Sequence, residues 1–165
     1  WGHDFARMQE EGKLRIVAAA PESASLEDHL LRMKEEIAEF GPDRIAIDSL
    51  TALQRVATAR SFREYLLGLS FHVKTHALVG MLTAATEEIG GGVMSGELHV
   101  STVSDTIVVL QYVGQEAEIA RGLAVLKMRG SDHDKALRRY TIDDHGMHIA
   151  EPMPLRAWAR LPEVL

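Results

Sequence analysis

The rhythm of apolar and polar positions changes near the middle of the chain. In the first half, short apolar runs alternate with segments of helical period. KLRIVAAA at 13–20 reads as a buried strand, and Leu26, Leu30, Met33, Ile37 and Phe40 recur at the spacing of one helix face. Ser25 followed by Asp28 forms a capping-box-like start with Asp in place of the usual Glu. Gly41 and Pro42 stop the helix. RIAID at 44–48 reads as a second buried strand. Phe62, Leu66, Leu69 and Val73 mark a second helix, and ALVGMLT at 77–83 a third strand. Strands and helices in this alternation predict a parallel sheet with right-handed crossovers.

After Thr83 the alternation stops. A loop, EEIGGGVMSGEL, leads to His99, Ser101 and Thr102. DTIVVLQYV, IARGLAVLKMR and ALRRYTI then follow without room for helices, and the last turns through DDHG into MHI. These predict hairpin-linked antiparallel strands that extend the sheet. No linker divides the chain and no internal repeat is visible. The segment from Glu151 onward, with three prolines and Trp158, gives no clear element.

Composition narrows the class. With 165 residues, this is one domain's worth of chain, enough to bury roughly 70% of its unfolded surface. A net charge of -6 argues against nucleic acid as the main partner, because phosphate-backbone binding leaves a basic footprint. The absence of cysteine excludes disulfides and thiolate metal sites and fits a reducing cytoplasm. No apolar stretch approaches the ~18 residues of a membrane span. The opening WGHDF, without an initiator Met, reads as the middle of a longer chain.

Four groups of residues can carry chemistry. Asp48 ends an apolar strand just before Ser49, where nucleotide-hydrolysing sheets present a carboxylate to Mg²⁺; an Asp there equally caps the next segment. A phosphate cradle of the form G-x-x-x-x-G-K-[ST] is missing: Gly91 and Gly96 have the spacing, but Glu97 and Leu98 follow, and a carboxylate repels phosphate. Ser101 and Thr102 either bond the local backbone or accept phosphate. Lys127 and Arg129 stand two apart at the end of an alternating run, so in a strand they share a face, with roots roughly 7 Å apart. Such a fork suits an anion, although surface cations at strand ends are more often simply solvated. Arg121 joins that face by parity if no bulge intervenes. Gly130, Ser131, His133 and Lys135 continue a polar, anion-friendly run, and the Asp132–His133–Asp134 triplet lacks a specific metal-ligand spacing.

PESASLEDHL, RIAIDSLTAL, HVSTVSDTIVVLQYV and LAVLKMRGSDHDKALRRYTIDDHG occur in order and at consistent spacing. Together they resemble the second RecA-like half of the KaiC circadian-clock ATPase family, over roughly residues 1–151. The resemblance implies a P-loop NTPase-type α/β fold with a mostly parallel central sheet extended by antiparallel strands. It also implies that the P-loop strand and helix lie outside this sequence. Residues 152–165 fall beyond it as a tail.

The family implies a homo-hexameric ring binding ATP and Mg²⁺ at subunit boundaries, with clock proteins as further partners. Lys127 and Arg129 match cations that act in trans on the neighbour's γ-phosphate. Arg121, Met128, Ser131, His133 and Lys135 match positions lining the same nucleotide, and Trp1 an aromatic near the adenine. Ser101 and Thr102 match the two phosphoacceptors, Asp48 the Mg²⁺ carboxylate, and Arg55 a seam residue near the acceptors. The implied activity is serine/threonine autokinase and autophosphatase chemistry beside ATP hydrolysis, with the isolated segment silent. A non-catalytic RecA-like scaffold is the alternative. Ala84-Ala85, Asp132 and Gly96 depart from the family pattern.

Overall fold

The computed structural model describes residues 2–85, 100–115 and 118–154, the side chains of Val100, Ser101 and Gln115 excepted. The fold is mixed α/β, with a two-stranded parallel sheet and a four-stranded antiparallel one. Backbone contacts group Asp4–Ala85 and residues 100–103 in one compact unit, and the described residues from Ser104 onward in another.

The first unit holds α1 (Phe5–Glu10), α2 (Leu26–Phe40), β1 (Arg44–Ile47), α3 (Leu50–Arg55), α4 (Ala59–Thr75), β2 (Val79–Leu82) and the one-turn α5 (Val100–Val103). Helix α2 starts as its sequence predicts: Ser25 Oγ accepts the amide of Asp28 at 3.1 Å. It ends on Gly41 in the left-handed conformation, at φ 65°. Helix α4 is capped in the same manner by Thr58, whose hydroxyl accepts the Ser61 amide. Leu26, Leu50, Phe62, Tyr65, Leu66 and Leu69 form the core, with Leu30, Met33, Ile45 and Ile47 packed against it. Gly68 permits the close approach of α2 and α4, since a Cβ there would lie 2.8 Å from Leu30 Cδ2. His29 is buried at the α2 start, its Nε2 3.0 Å from the Pro21 carbonyl oxygen.

Two strand expectations change. Residues 13–20 form no strand; Ile16 and Val17 are 61% and 52% exposed. A strand needs a ladder partner, and this run has none among the described residues. Arg15 instead forks onto Glu36 and Glu39 of α2, at 3.0 Å each, and its guanidinium carbon lies 5.0 Å from the Phe40 ring centroid. Strand β1 is covered on one face only. Ile45 and Ile47 meet the core while Arg44 and Ala46 are exposed, and all four residues of β2 are exposed. Only the helical side of this pair carries a packed layer among the described residues.

The second unit holds β3 (Thr106–Gln115), β4 (Glu118–Met128), β5 (Arg138–Asp143) and β6 (Gly146–Pro152), in that order across an antiparallel sheet. The antiparallel strands expected after the parallel pair are thus present, hydrogen-bonded to one another among the described residues. Val113, Ala120, Ala124, Leu137 and Met153 make the core of this sheet. Gly122 lies beneath Leu137, where a Cβ would come within 2.9 Å of Leu137 Cδ1 and 3.2 Å of Val113 Cγ1. Met153 donates its amide to the Leu137 carbonyl at 2.7 Å, so the chain remains ordered by pairing just past Glu151.

Candidate functional site

In the second unit the cations gather where β4 ends. Lys127 is half-buried, and its Nζ donates to the Ser104 carbonyl at 2.8 Å. Arg129 follows the last residue of β4, and its amide donates to the Asp105 carbonyl at 2.9 Å. Its Nη1 lies 3.5 Å from Asp105 Oδ1, with both side chains about half-exposed. That second contact is at the limit of a hydrogen bond and is screened by solvent. The two cations are thus anchored on consecutive residues, Ser104 and Asp105, which follow the Ser101–Thr102 pair in sequence.

Arg121 is not on their face. The β3–β4 register runs from Tyr112 opposite Arg121 to Val108 opposite Val125, then slips so that Ile107 faces Lys127. Leu126 is the extra residue of a β-bulge. Directly opposed residues share a face, and Ile107 and Tyr112 are an odd number of positions apart. Arg121 therefore projects from the face opposite to Lys127. The even spacing between the two cations does not survive the inserted residue. Met128, opposite Thr106, also alternates away from Lys127.

The loop after β4 turns at Gly130, which has φ 78°. Ser131 and Lys135 are exposed and His133 is half-buried. Lys135 Nζ lies 3.7 Å from Asp132. Asp134 bends back to the Ala136 amide and to Arg138, contacts that hold its carboxyl below the ordinary carboxylate range, the amide contributing most. Among the described residues no three His, Asp or Glu side chains converge as metal ligands.

In the first unit Asp48 follows β1, exposed at the carboxyl end of the strands. Thr83, one residue past β2, donates its hydroxyl to Asp48 Oδ1 at 2.6 Å. The backbone keeps the two in step: Thr83 donates to the Ile47 carbonyl, and Leu50 donates to the Thr83 carbonyl. The peptide between Asp48 and Ser49 is cis. Among the described residues no hydrogen bond falls on Oδ2. The exposed carboxylate thus has an oxygen to offer a divalent cation, which suits Mg²⁺, an ion commonly held by one or two carboxylates with water and phosphate completing the shell.

Arg55 is exposed at the end of α3. Thr102 is exposed on α5, which Ser70 Oγ of α4 secures by donating to the Val103 carbonyl at 3.3 Å. The Ser101 side chain and Trp1 lie outside the described residues, as do Gly91, Gly96 and His99.

Sequence reasoning missed Thr83, Ser104, Asp105 and Arg138 as supporting residues. Hydroxyls and charges flanking strand ends were the available signal. Which partner each one meets depends on pairing between distant segments.

An apolar strand end bearing a carboxylate, and two cations anchored at the end of another strand, are parts found in nucleotide-handling α/β proteins. Residues 1–153 match the family described as ATPase: KaiC. The chain is 48% identical over 152 residues to the circadian clock protein KaiC3 of Synechocystis sp., covering 92% of this chain and 30% of that protein. It is 46% identical over 151 residues to the circadian clock oscillator protein KaiC of Picosynechococcus sp., covering 92% and 29%. The corresponding protein of Thermostichus vulcanus is 45% identical, with the same coverage. The chain thus spans less than a third of the length of these relatives. A match across nearly all of its residues, together with the mixed α/β fold, places the chain in the KaiC ATPase family.

Proposed function

We propose that the chain is part of the second RecA-like domain of a ring-forming, cytoplasmic KaiC-type protein that hydrolyses ATP and phosphorylates itself. Lys127 and Arg129 reach the triphosphate of the adjacent protomer in a homo-hexamer. Ser131, His133 and Lys135 line the same phosphates, Arg121 and Met128 meet the nucleotide from the other face of β4, and Trp1 packs near the base. Ser101 and Thr102 are the acceptors, with Arg55 at the seam beside them. Relatives named as clock proteins support clock partners and a signalling role in timing.

The observation that carries this reading is the anchoring of both cations on Ser104 and Asp105. It holds two positive charges at one strand end, on the segment that continues from the acceptor hydroxyls. During in-line transfer, an acceptor oxygen bonds to the γ-phosphorus as the bond to the leaving ADP oxygen breaks. The hydroxyl proton passes to a base, and negative charge builds on the leaving and equatorial oxygens. Lys127 and Arg129 offset that charge. Mg²⁺, held through Asp48, would supply further charge neutralisation on the phosphates. The 165-residue sequence contains no G-x-x-x-x-G-K-[ST] cradle, and by itself it is expected to be silent.

The test is mass spectrometry of the full-length protein after incubation with Mg·ATP, alongside turnover by Arg129→Ala. Phosphate on Ser101 or Thr102 and a loss of about 10³ or more in rate are expected. Phosphate confined to other residues, or unchanged turnover, overturns the assignment. An assembled ring that carries no phosphate and does not hydrolyse ATP would instead establish the scaffold role.

A further inference from the structure

The proposed reading leaves one acidic residue without a purpose. Asp134 stands between His133 and Lys135, two loop residues assigned above to the phosphates. An anion in that position opposes a triphosphate. Its contacts turn the charge elsewhere. Asp134 Oδ1 accepts the Ala136 amide at 2.9 Å, and Oδ2 accepts Arg138 Nε at 2.6 Å. The same guanidinium donates through Nη1 to the Ala150 carbonyl of β6 at 3.2 Å. Arg138 therefore joins the loop after β4 to the first residue of β5 and to the backbone of β6. The other ion pair in the loop is Lys135 with Asp132, at 3.7 Å and with side chains 77% and 89% exposed. A pair that long and that wet holds little. The Asp134 contacts, the Ala136 amide first and then Arg138, hold its carboxyl below the ordinary carboxylate range.

We propose that Asp134 is a positioning residue: clamped to Arg138 and to the Ala136 amide, it presents His133 and Lys135 to the nucleotide phosphates and withdraws its own charge from them. This inference rests on the reading of the loop as nucleotide-facing. It assigns no contact between Asp134 and the nucleotide.

The experiment uses the full-length protein, titrated with a fluorescent ATP analogue and assayed for ATP turnover. Asp134→Asn and Arg138→Gln should each weaken analogue binding and raise KM about tenfold, with kcat within about twofold, since each removes a charge-assisted hydrogen bond. The double variant should be no worse than either single one, because both break the same contact. A purely structural role would instead lower kcat through loss of folded protein and leave KM alone. Should Asp134→Asn fail to fold, Asp134→Glu keeps the charge and changes only its reach; intermediate binding is expected. Lys135→Ala separates the two layers of inference. If Lys135→Ala weakens binding but the Asp134 variants bind as tightly as wild type or tighter, the positioning role is overturned and the site stands. If Lys135→Ala and Arg129→Ala both leave binding and turnover unchanged, the site reading falls and takes the positioning role with it.

Discussion

The ammonium of Lys127 donates into the carbonyl of Ser104 at 2.8 Å, across the first paired residues of β3 and β4. The contact is partly buried, whereas the Arg129–Asp105 pair two residues on is solvated and 3.5 Å long. Neighbouring cations that look equivalent in sequence therefore make different contributions to the fold. Lys127→Met should cost about 1–2 kcal/mol of stability, because a charged donor to a part-buried carbonyl is lost. Arg129→Ala should cost no more than about 0.5 kcal/mol. Urea unfolding midpoints of the two variants check this. Equal losses would show that the solvated pair carries structural weight and that the Arg129 activity test is compromised.

The packing of Gly122 against Leu137 gives a second expectation. Gly122→Ala places a methyl group 2.9 Å from Leu137 Cδ1 and should destabilise by about 1–3 kcal/mol. Leu137 is fully buried, and Leu137→Ala should cost about 2–5 kcal/mol. Combined, the two should cost less than their sum, because the truncated leucine vacates the space the new methyl needs. Additive losses in thermal or urea unfolding would refute the contact.

Stability should fall with acid in two stages. His72 is half-buried, with its Nε2 shut off from solvent and unpartnered among the described residues; burial, then His76 and Lys34, lower its pKa. The fold thus prefers the neutral ring, so its contribution is complete above the unfolded value of about 6.5 and declines as pH falls below it. Asp134 and Asp143 are lowered too, chiefly by the Ala136 and His145 amides and then by Arg138 and His148. Their contribution is complete above the unfolded value of about 3.9 and is lost as pH falls through their folded values. Urea midpoints from pH 8 to 3 should show His72→Gln removing the first stage. Asp134→Asn and Asp143→Asn should flatten the second. A curve unchanged by all three substitutions would contradict the assignment.

Much of the fold was legible where local chemistry decides it. Ser25, Gly41 and the Leu26–Ile37 stripe specify α2 from within their own segment, and each hairpin strand carries its own alternation. The run at 13–20 was misread because an apolar octapeptide becomes a strand only beside a partner, which no local pattern reveals. In the candidate site, the residue types of Asp48, Lys127 and Arg129 were visible as chemistry, but their anchors were not. Thr83 is 35 residues from Asp48, and Ser104 is 23 from Lys127. Helical and strand periods carry no information over such separations. The Arg121 placement failed for a smaller reason: parity counts residues, and Leu126 adds one that the ladder does not pair.

That single unpaired residue acts as a half-turn in the ribbon. Upstream of it, odd-numbered side chains of β4 look one way; downstream, they look the other. Were Leu126 to take its place in the ladder opposite Ile107, Lys127 would pair one position further on and its ammonium would move to the opposite surface, without changing any side chain that bears charge. Where the cation points is therefore set by which β3 residue it stands opposite, as firmly as by its being lysine.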